Sequence, residues 1–397
     1  MPGPPLCARI RVELPASAGQ LSSRPLSRIA PLMTLYPRMA EGFCVFCGDA
    51  PVEKTTEHVV PRWLIQLTGN PNRTANFGPM WDKSKGEAKL ARYSFDQFRF
   101  PACHTCNNHA ASLEGQAKVV ITSMLSESPL SAQDLNILLS WLDKVRIGLW
   151  LAGYYITKDI SDIEPHMHIN SRIDKADRLV LIYRSDSTKK RLNFAGIGSP
   201  LFRYLPICFT LLVNGYVLFN ISTDFLFSGR IGLPYPVEAS WANWPYVAYD
   251  MTEGRCRVNL PLIRKPFNTQ CTQIYQPMAG RDEMRLTFSE LYDGEYARGM
   301  FADQAPGIGK VFRSEGRRLE EYPQDKSLAW LPGKTWHLPN LFGMITRQTL
   351  NMQLYLLDFM PKYGQLDAER RSITKRQIQL SREYNRLTLR KLDRFYS

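Results

Sequence analysis

Two Cys-x-x-C pairs, Cys44 with Cys47 and Cys103 with Cys106, are the residues of this chain most ready to do chemistry. Two such knuckles can surround a single tetrahedral ion, and four thiolates make a closed, structural zinc site. The other four cysteines, Cys7, Cys208, Cys256 and Cys271, stand far apart. Residues 1–38 hold seven prolines and five arginines without the apolar run of a secretory signal. A metal site is therefore expected rather than a disulfide framework.

Between and just after the knuckles lie EHVVPRWL, from Glu57 to Leu64, and CHTCNN, from Cys103 to Asn108. The order C-x-x-C, acidic-His-x-x-Pro, C-x-x-C-Asn resembles the HNH, or ββα-metal, nucleases, especially the zinc-bearing kind. The resemblance covers about 75 of the 397 residues. It implies that Glu57 and Asn107 hold a catalytic divalent ion while His58 activates water. The residue types agree with those roles. An imidazole with an ordinary pKa near 6.5 can take a proton from water at neutral pH. Oxygen donors suit Mg²⁺ or Mn²⁺ better than a second zinc, and such an ion stabilises charge on a departing oxygen.

Geometry adds constraints. Neighbours on an ideal strand face opposite ways, so Glu57 and His58 can share a cleft only if the hairpin bends at that pair. On a helix starting near Asn107, Glu114 and Lys118 fall on its stripe and His109 points away. Asn107 is thus preferred over His109 as a ligand. Glu114 and Lys118 read either as outer contacts, Lys118 to a phosphate, or as a solvated helix face. His104 reads as a surface residue, since four cysteines already complete the zinc site. Two departures from the family stand out: the gap from His58 to Cys103 is long, and Asp96 and Gln97 stand where an asparagine is usual. The long gap carries Lys83, Lys85, Lys89, Arg92 and Arg99, a basic excess that could follow a phosphate backbone.

The elements that must position these groups can be read from periodicity. Ser131 and Asp134 form a helix-start signal, followed by Leu135, Leu138, Leu139, Leu142, Val145 and Leu149 at the spacing of an amphipathic helix. Strand patterns follow at Leu179–Tyr183 and from Cys256 to Leu262. Asn214 and Gly215, between two apolar runs, predict a type I′ hairpin. Helical spacing returns from Leu341 to Met360. In the basic tail, Ile373, Leu380, Tyr384 and Leu387 line one face.

The expected fold class is α+β: a small zinc-stapled ββα-metal domain, then a larger mixed α/β or mostly β domain with C-terminal helices. The expected divisions are a disordered leader at 1–38, in which Met33 or the adjoining Met39 could be the true start, a nuclease domain at 39–125, a helix plus α+β domain at 126–340, and C-terminal helices at 341–397. At 44% hydrophobic and 22% charged, the composition excludes a wholly disordered chain. The longest apolar run, from Ile207 to Ile221, is broken by Asn214 and Gly215, and no membrane segment is expected. With neither a secretory signal nor a membrane segment expected, the chain is expected to be cytoplasmic.

The net charge of +13 is concentrated in the tails, with +4 in residues 1–38 and +6 in 362–397. A polyanion would therefore feel the termini at least as strongly as the fold. The expected function is a metal-dependent endonuclease acting on nucleic acid, DNA foremost, with host defence or restriction as its setting by analogy. The alternative is a catalytically silent zinc module that binds nucleic acid or a partner. His166, His168 and His337 have no ligand or triad spacing and read as ordinary core or surface residues. The helix within 370–394 reads as a nucleic-acid contact or a solvated amphipathic face.

Overall fold

The computed structural model describes residues 42–82, 87–156, 168–174, 176–204, 206–223, 235–243, 246–252, 271–276, 278–279, 307–308, 310–315, 318–329, 335–357 and 368–392. After the first knuckle come β1 (Thr55–His58), α1 (Arg62–Leu67), β2 (Thr74–Asp82), β3 (Glu87–Ser94), β4 (Arg99–Ala102) and α2 (His104–Leu125). Next are α3 (Ala132–Ile156), β5 (Asp177–Ser185), β6 (Leu192–Ala195), α4 (Pro200–Tyr204), β7 (Cys208–Val213) and β8 (Tyr216–Thr223). The remainder holds β9 (Tyr235–Asn243), β10 (Tyr246–Thr252), β11 (Thr272–Gln276), β12 (Met278–Ala279), β13 (Gly307–Ile308), β14 (Phe312–Glu315), β15 (Arg318–Glu321) and β16 (Thr335–Trp336). Two long helices, α5 (Leu338–Leu357) and α6 (Ala368–Lys391), complete an α+β fold. Lys83, Lys85, His166 and the expected strand from Cys256 to Leu262 lie outside the described residues.

A ten-stranded sheet runs in the order β15-β14-β11-β5-β8-β7-β6-β2-β3, with β16 added in parallel on β5. β2 and β3, from the stretch expected to form the nuclease domain, are its far edge. They join it through a parallel contact, Asn76 opposite Asn193. One hydrophobic core extends from Phe43 to Tyr322, so the zinc-bearing stretch is packed continuously onto α3 and the sheet. Among the described residues no helix is long and apolar enough to cross a membrane.

α3 is the element that joins the two. Its capping box forms as the sequence predicts: the Asp134 carboxylate accepts from Ser131 N at 2.8 Å, and Asp134 N donates to Ser131 Oγ at 3.1 Å. The predicted amphipathic stripe is not what the helix presents, because Leu138 to Gly153 are buried without interruption. A helix covered on all sides belongs to an interior, and its polar residues must find partners there. Arg146 bonds Asp143 at 2.6 Å and Asn220 of β8 at 2.6 Å. Arg178 of β5 meets Asp143, Asp174 and Ser140. This charge network fixes the rotation of α3 against the sheet, and with it the direction of the intervening Lys144.

Two other local expectations are modified. β7 and β8 form the predicted two-residue hairpin, Val213 opposite Tyr216, but only Asn214 has a positive φ, of 52°. A type I′ turn needs both central residues there, so this turn departs from that type. On α6 the buried stripe is Ile378, Ser381, Asn385 and Thr388, continued by Leu392 just past its end, while the predicted Leu380 is exposed. Asn385 decides the rotation: its amide donates to Leu350 O and to Gln353 Oε1, both on α5.

Candidate functional site

The first knuckle closes on itself through Gly48 N to Cys44 O at 2.9 Å and Cys44 N to Asp49 O at 2.7 Å. The second sits at the start of α2, with Cys103 as the N-cap residue. Val45 N bonds Pro101 O at 3.0 Å, which lays the two knuckles side by side. The four sulfurs lie within 4.8 Å of one another, and Cys47 Sγ is 3.9 Å from Cys103 Sγ. A tetrahedron of roughly 2.3 Å metal–sulfur bonds has edges of roughly 3.8 Å, so the donor set fits a thiolate-bound ion. Backbone amides already point at the sulfurs, Cys103 N at Cys44 Sγ and Val52 N at Cys103 Sγ. Burial raises the Cys44 thiol, but amides of Cys47, Cys103 and Phe46 outweigh it and hold the thiol below its usual value. Burial pushes the Cys47 and Cys106 thiols up. Metal binding must therefore expel protons from the cluster.

His168, predicted to be an ordinary residue, braces this knuckle. Its Nδ1 meets Phe46 O, and the following Ile169 N and Asn170 N bond Val45 O and Phe46 O. Burial holds the His168 imidazole below its ordinary pKa of 6.5, against the smaller opposing pulls of the Phe46 carbonyl and Asp49. The fold thus disfavours the charged ring. Its stability contribution is complete above the unfolded value of about 6.5 and is lost as pH falls through that value toward the folded one. His168→Gln is expected to flatten the decline in Tm between about pH 7 and pH 5. An unchanged slope in thermal melts of the two proteins would contradict this.

β1 pairs with β4 in unbroken antiparallel register, from Thr55 opposite Ala102 to His58 opposite Arg99. The bend expected at Glu57 and His58 is absent, and the two side chains meet different surroundings. Glu57 is 7% exposed and bonds Lys144 Nζ of α3 at 2.5 Å. The same ammonium bonds Glu114 of α2. On that side Asn107 Nδ2 donates to Thr55 Oγ1 at 3.2 Å, two residues before Glu57 and on the same strand face. His58 instead lines a cavity of about 240 Å³ with Arg62, Gln66, Asn72, Phe95 and Arg99. Glu57 and Asn107 therefore share a face, and His58 opens on the other. Gly148 of α3 positions the end of β1, since a Cβ there would fall 2.5 Å from Val59 Cγ1.

Glu114 is not on a solvated helix face. Its carboxylate is largely buried, and burial raises its pKa more than Lys144 lowers it. Burial pulls the Lys144 ammonium down, but Glu57 and Glu114 together hold it above its ordinary value. Lys118 and His109 are exposed, as are His104, Lys89, Arg92 and Arg99. His104 faces Glu53 and Asn108, and Arg92 bonds Asn76 Oδ1 at 3.1 Å. His337 pairs with Asp186 at an exposed position.

Lys144 is the residue that motif reading missed. Its signal was the run Asp143, Lys144 and Arg146 inside an otherwise apolar helix. Compared with family models, with curated proteins and with solved structures, the chain matches none.

Two carboxylates against one ammonium give this cluster a formal charge of −1, and the raised pKa of Glu114 draws it toward neutrality. Removing the lysine would leave two carboxylates buried together. Lys144→Ala is expected to destabilise the fold by about 3–5 kcal/mol, the usual consequence of breaking a buried ion pair from one side. Denaturant melts check this, and a loss below about 1 kcal/mol would mean that the pair is solvated.

Proposed function

We propose that the chain is a metal-dependent endonuclease of the HNH kind, acting on phosphodiester bonds in nucleic acid, DNA foremost, in the cytoplasm. Zinc, bound by Cys44, Cys47, Cys103 and Cys106, staples β1, β4 and α2 together. The observation that carries the reading is His58 in a basic cavity, flanked by the exposed guanidinium groups of Arg62 and Arg99. A phosphate seated between the two arginines would have its charge matched by planar donors. His58 would then accept the proton of an attacking water. Glu57 and Asn107 offer oxygen donors that fit Mg²⁺ or Mn²⁺; because they lie on the face of β1 opposite His58, an ion held there would supply charge stabilisation at the departing oxygen only once Lys144 released Glu57 and the end of β1 bent. Host defence or restriction is the setting that the resemblance suggests.

A second reading is favoured by one contact. Lys144 already neutralises Glu57, as it would in a catalytically silent zinc module that binds nucleic acid or a partner. Incubation of the zinc-loaded chain with supercoiled plasmid, with and without Mg²⁺ or Mn²⁺, separates the two. Metal-dependent nicking supports the nuclease. Absence of cutting on plasmid, single-stranded DNA and RNA with either ion supports the silent module.

A further inference from the structure

The α6 sequence, AERRSITKRQIQLSREYNRLTLRK, holds eight basic and two acidic residues. The helix lies against β3, α4 and α5 and turns Ile378, Ser381, Asn385 and Thr388 inward. Roughly a third of a turn from that face run Lys375, Arg382, Arg386 and Arg390, at intervals of seven, four and four residues. Lys375, Arg386 and Arg390 are exposed, and Arg382 is half-buried. At 1.5 Å per residue they form a basic row about 22 Å long, with Glu383 at its margin. Like charges four residues apart repel each other and oppose the helix, so the row gains nothing from the folded chain alone. A polyanion laid along it would reverse that sign.

The place of α6 ties this row to the proposed nuclease end of the sheet. β3, against which it lies, ends at Ser94, and the next residue, Phe95, lines the His58 cavity. Arg92 of the same strand is exposed and adds a cation near that end.

The row also selects among polyanions. A helix that lies on a membrane needs a continuous apolar face to bury among acyl chains. The inward face of α6 is largely polar and is already held on α5 through Asn385. Single strands are held by aromatic rings on which bases stack, and this row is made of lysine and arginines. A duplex presents phosphates at regular intervals, and 22 Å matches about six base pairs of one strand.

We infer that α6 is a second nucleic-acid contact, apart from the His58 cavity, on which Lys375, Arg382, Arg386 and Arg390 hold the phosphate backbone of a duplex; the choice of nucleic acid as occupant rests on the reading proposed above. These contacts position the duplex without reading its sequence.

The test measures binding of the zinc-loaded full chain to a fluorescein-labelled 20-base-pair DNA duplex by anisotropy, between 50 and 200 mM NaCl and without Mg²⁺ or Mn²⁺. The variant Lys375→Gln/Arg386→Gln/Arg390→Gln removes three exposed cations and keeps good helix formers. Loss of about three phosphate contacts should lower the slope of log affinity against log salt by about 2.7, and affinity at 0.1 M salt by about 10²-fold. Lys189→Gln/Lys190→Gln/Arg191→Gln takes the same charge from exposed positions between β5 and β6 and should change the slope by less than about 1. No duplex binding by the natural chain at 50 mM salt, an unchanged slope in the α6 variant, or an equal loss in the 189–191 variant would each overturn the inference. Loss of phosphatidylserine-vesicle binding in the α6 variant, with duplex binding unchanged, would assign the row to a lipid surface and overturn it as well. If the triple variant does not fold, Arg386→Gln decides: a slope lower by about 0.9 supports the contact, and an unchanged one refutes it. Plasmid nicking is scored separately. Duplex binding through α6 without nicking keeps this contact and removes the nuclease, whereas nicking with an unchanged slope in the α6 variant does the reverse.

Discussion

Replacement of Cys103 by serine is expected to remove bound zinc almost completely and to lower Tm by about 10 °C or more. The size of the effect reflects what Cys103 joins. Its sulfur accepts from Val52 N, its amide donates to Cys44 Sγ, and it opens α2 as the N-cap residue. A three-thiolate remnant would neither close the tetrahedron nor offset the protons held by the buried thiols. In isolated zinc fingers the metal contributes apparent binding energies of about 10–16 kcal/mol, and this appears as folding energy. Here Phe43, Val45 and Phe46 of the first knuckle are part of a core that continues through α3. Part of the fold should therefore survive, and the unfolding should become less cooperative. Cys208→Ser is the control, because Cys208 is buried far along the chain with its sulfur directed at Thr349 O. Metal analysis and thermal melts of both variants decide the matter; zinc content and melting unchanged in Cys103→Ser would refute the staple.

For catalysis, His58→Ala is expected to slow metal-dependent nicking by about 10²–10⁴-fold, the usual contribution of a positioned general base. Zinc content and Tm should stay near those of the natural chain. The imidazole lines a cavity of about 240 Å³ rather than filling a core position, so its loss opens little buried space. Equal cutting by both proteins would remove His58 from the mechanism. Glu57→Gln is a poorer probe, because it also takes away a partner of Lys144 and would mix loss of metal with loss of packing. The Mg²⁺ dependence of the remaining activity separates the two effects: a changed half-saturating concentration reports the ion, and a changed Tm reports the lysine.

Much of this architecture was legible locally. The two C-x-x-C spacings identify four cysteines, and these converge within 4.8 Å. Ser131 and Asp134 start α3 as predicted, and the Asn214–Gly215 pair turns β7 into β8. Each of these signals acts within about four residues, where backbone sterics and one or two hydrogen bonds decide the outcome, while the meeting of the two cysteine pairs needs long-range contacts such as Cys103 N to Cys44 Sγ. Even so, the hairpin took a different turn type, which depends on the φ of one residue.

What spacing could not decide was which face each element buries. The apolar stripe of α3 was visible, yet the helix is covered on every side and carries Asp143, Lys144 and Arg146 into the interior. Lys144 meets Glu57 across 87 residues of sequence, and that contact places the proposed ion ligand in a buried salt bridge. Glu114 went the same way, from a solvated helix position to the second carboxylate of that cluster. The regular pairing of β1 with β4 then sent His58 to a different cavity from its neighbour. The motif thus determined which residue types stand beside the zinc knuckles. Tertiary packing decided which of them share a face, because a buried charge takes whatever partner the interior supplies, and no local pattern records that partner.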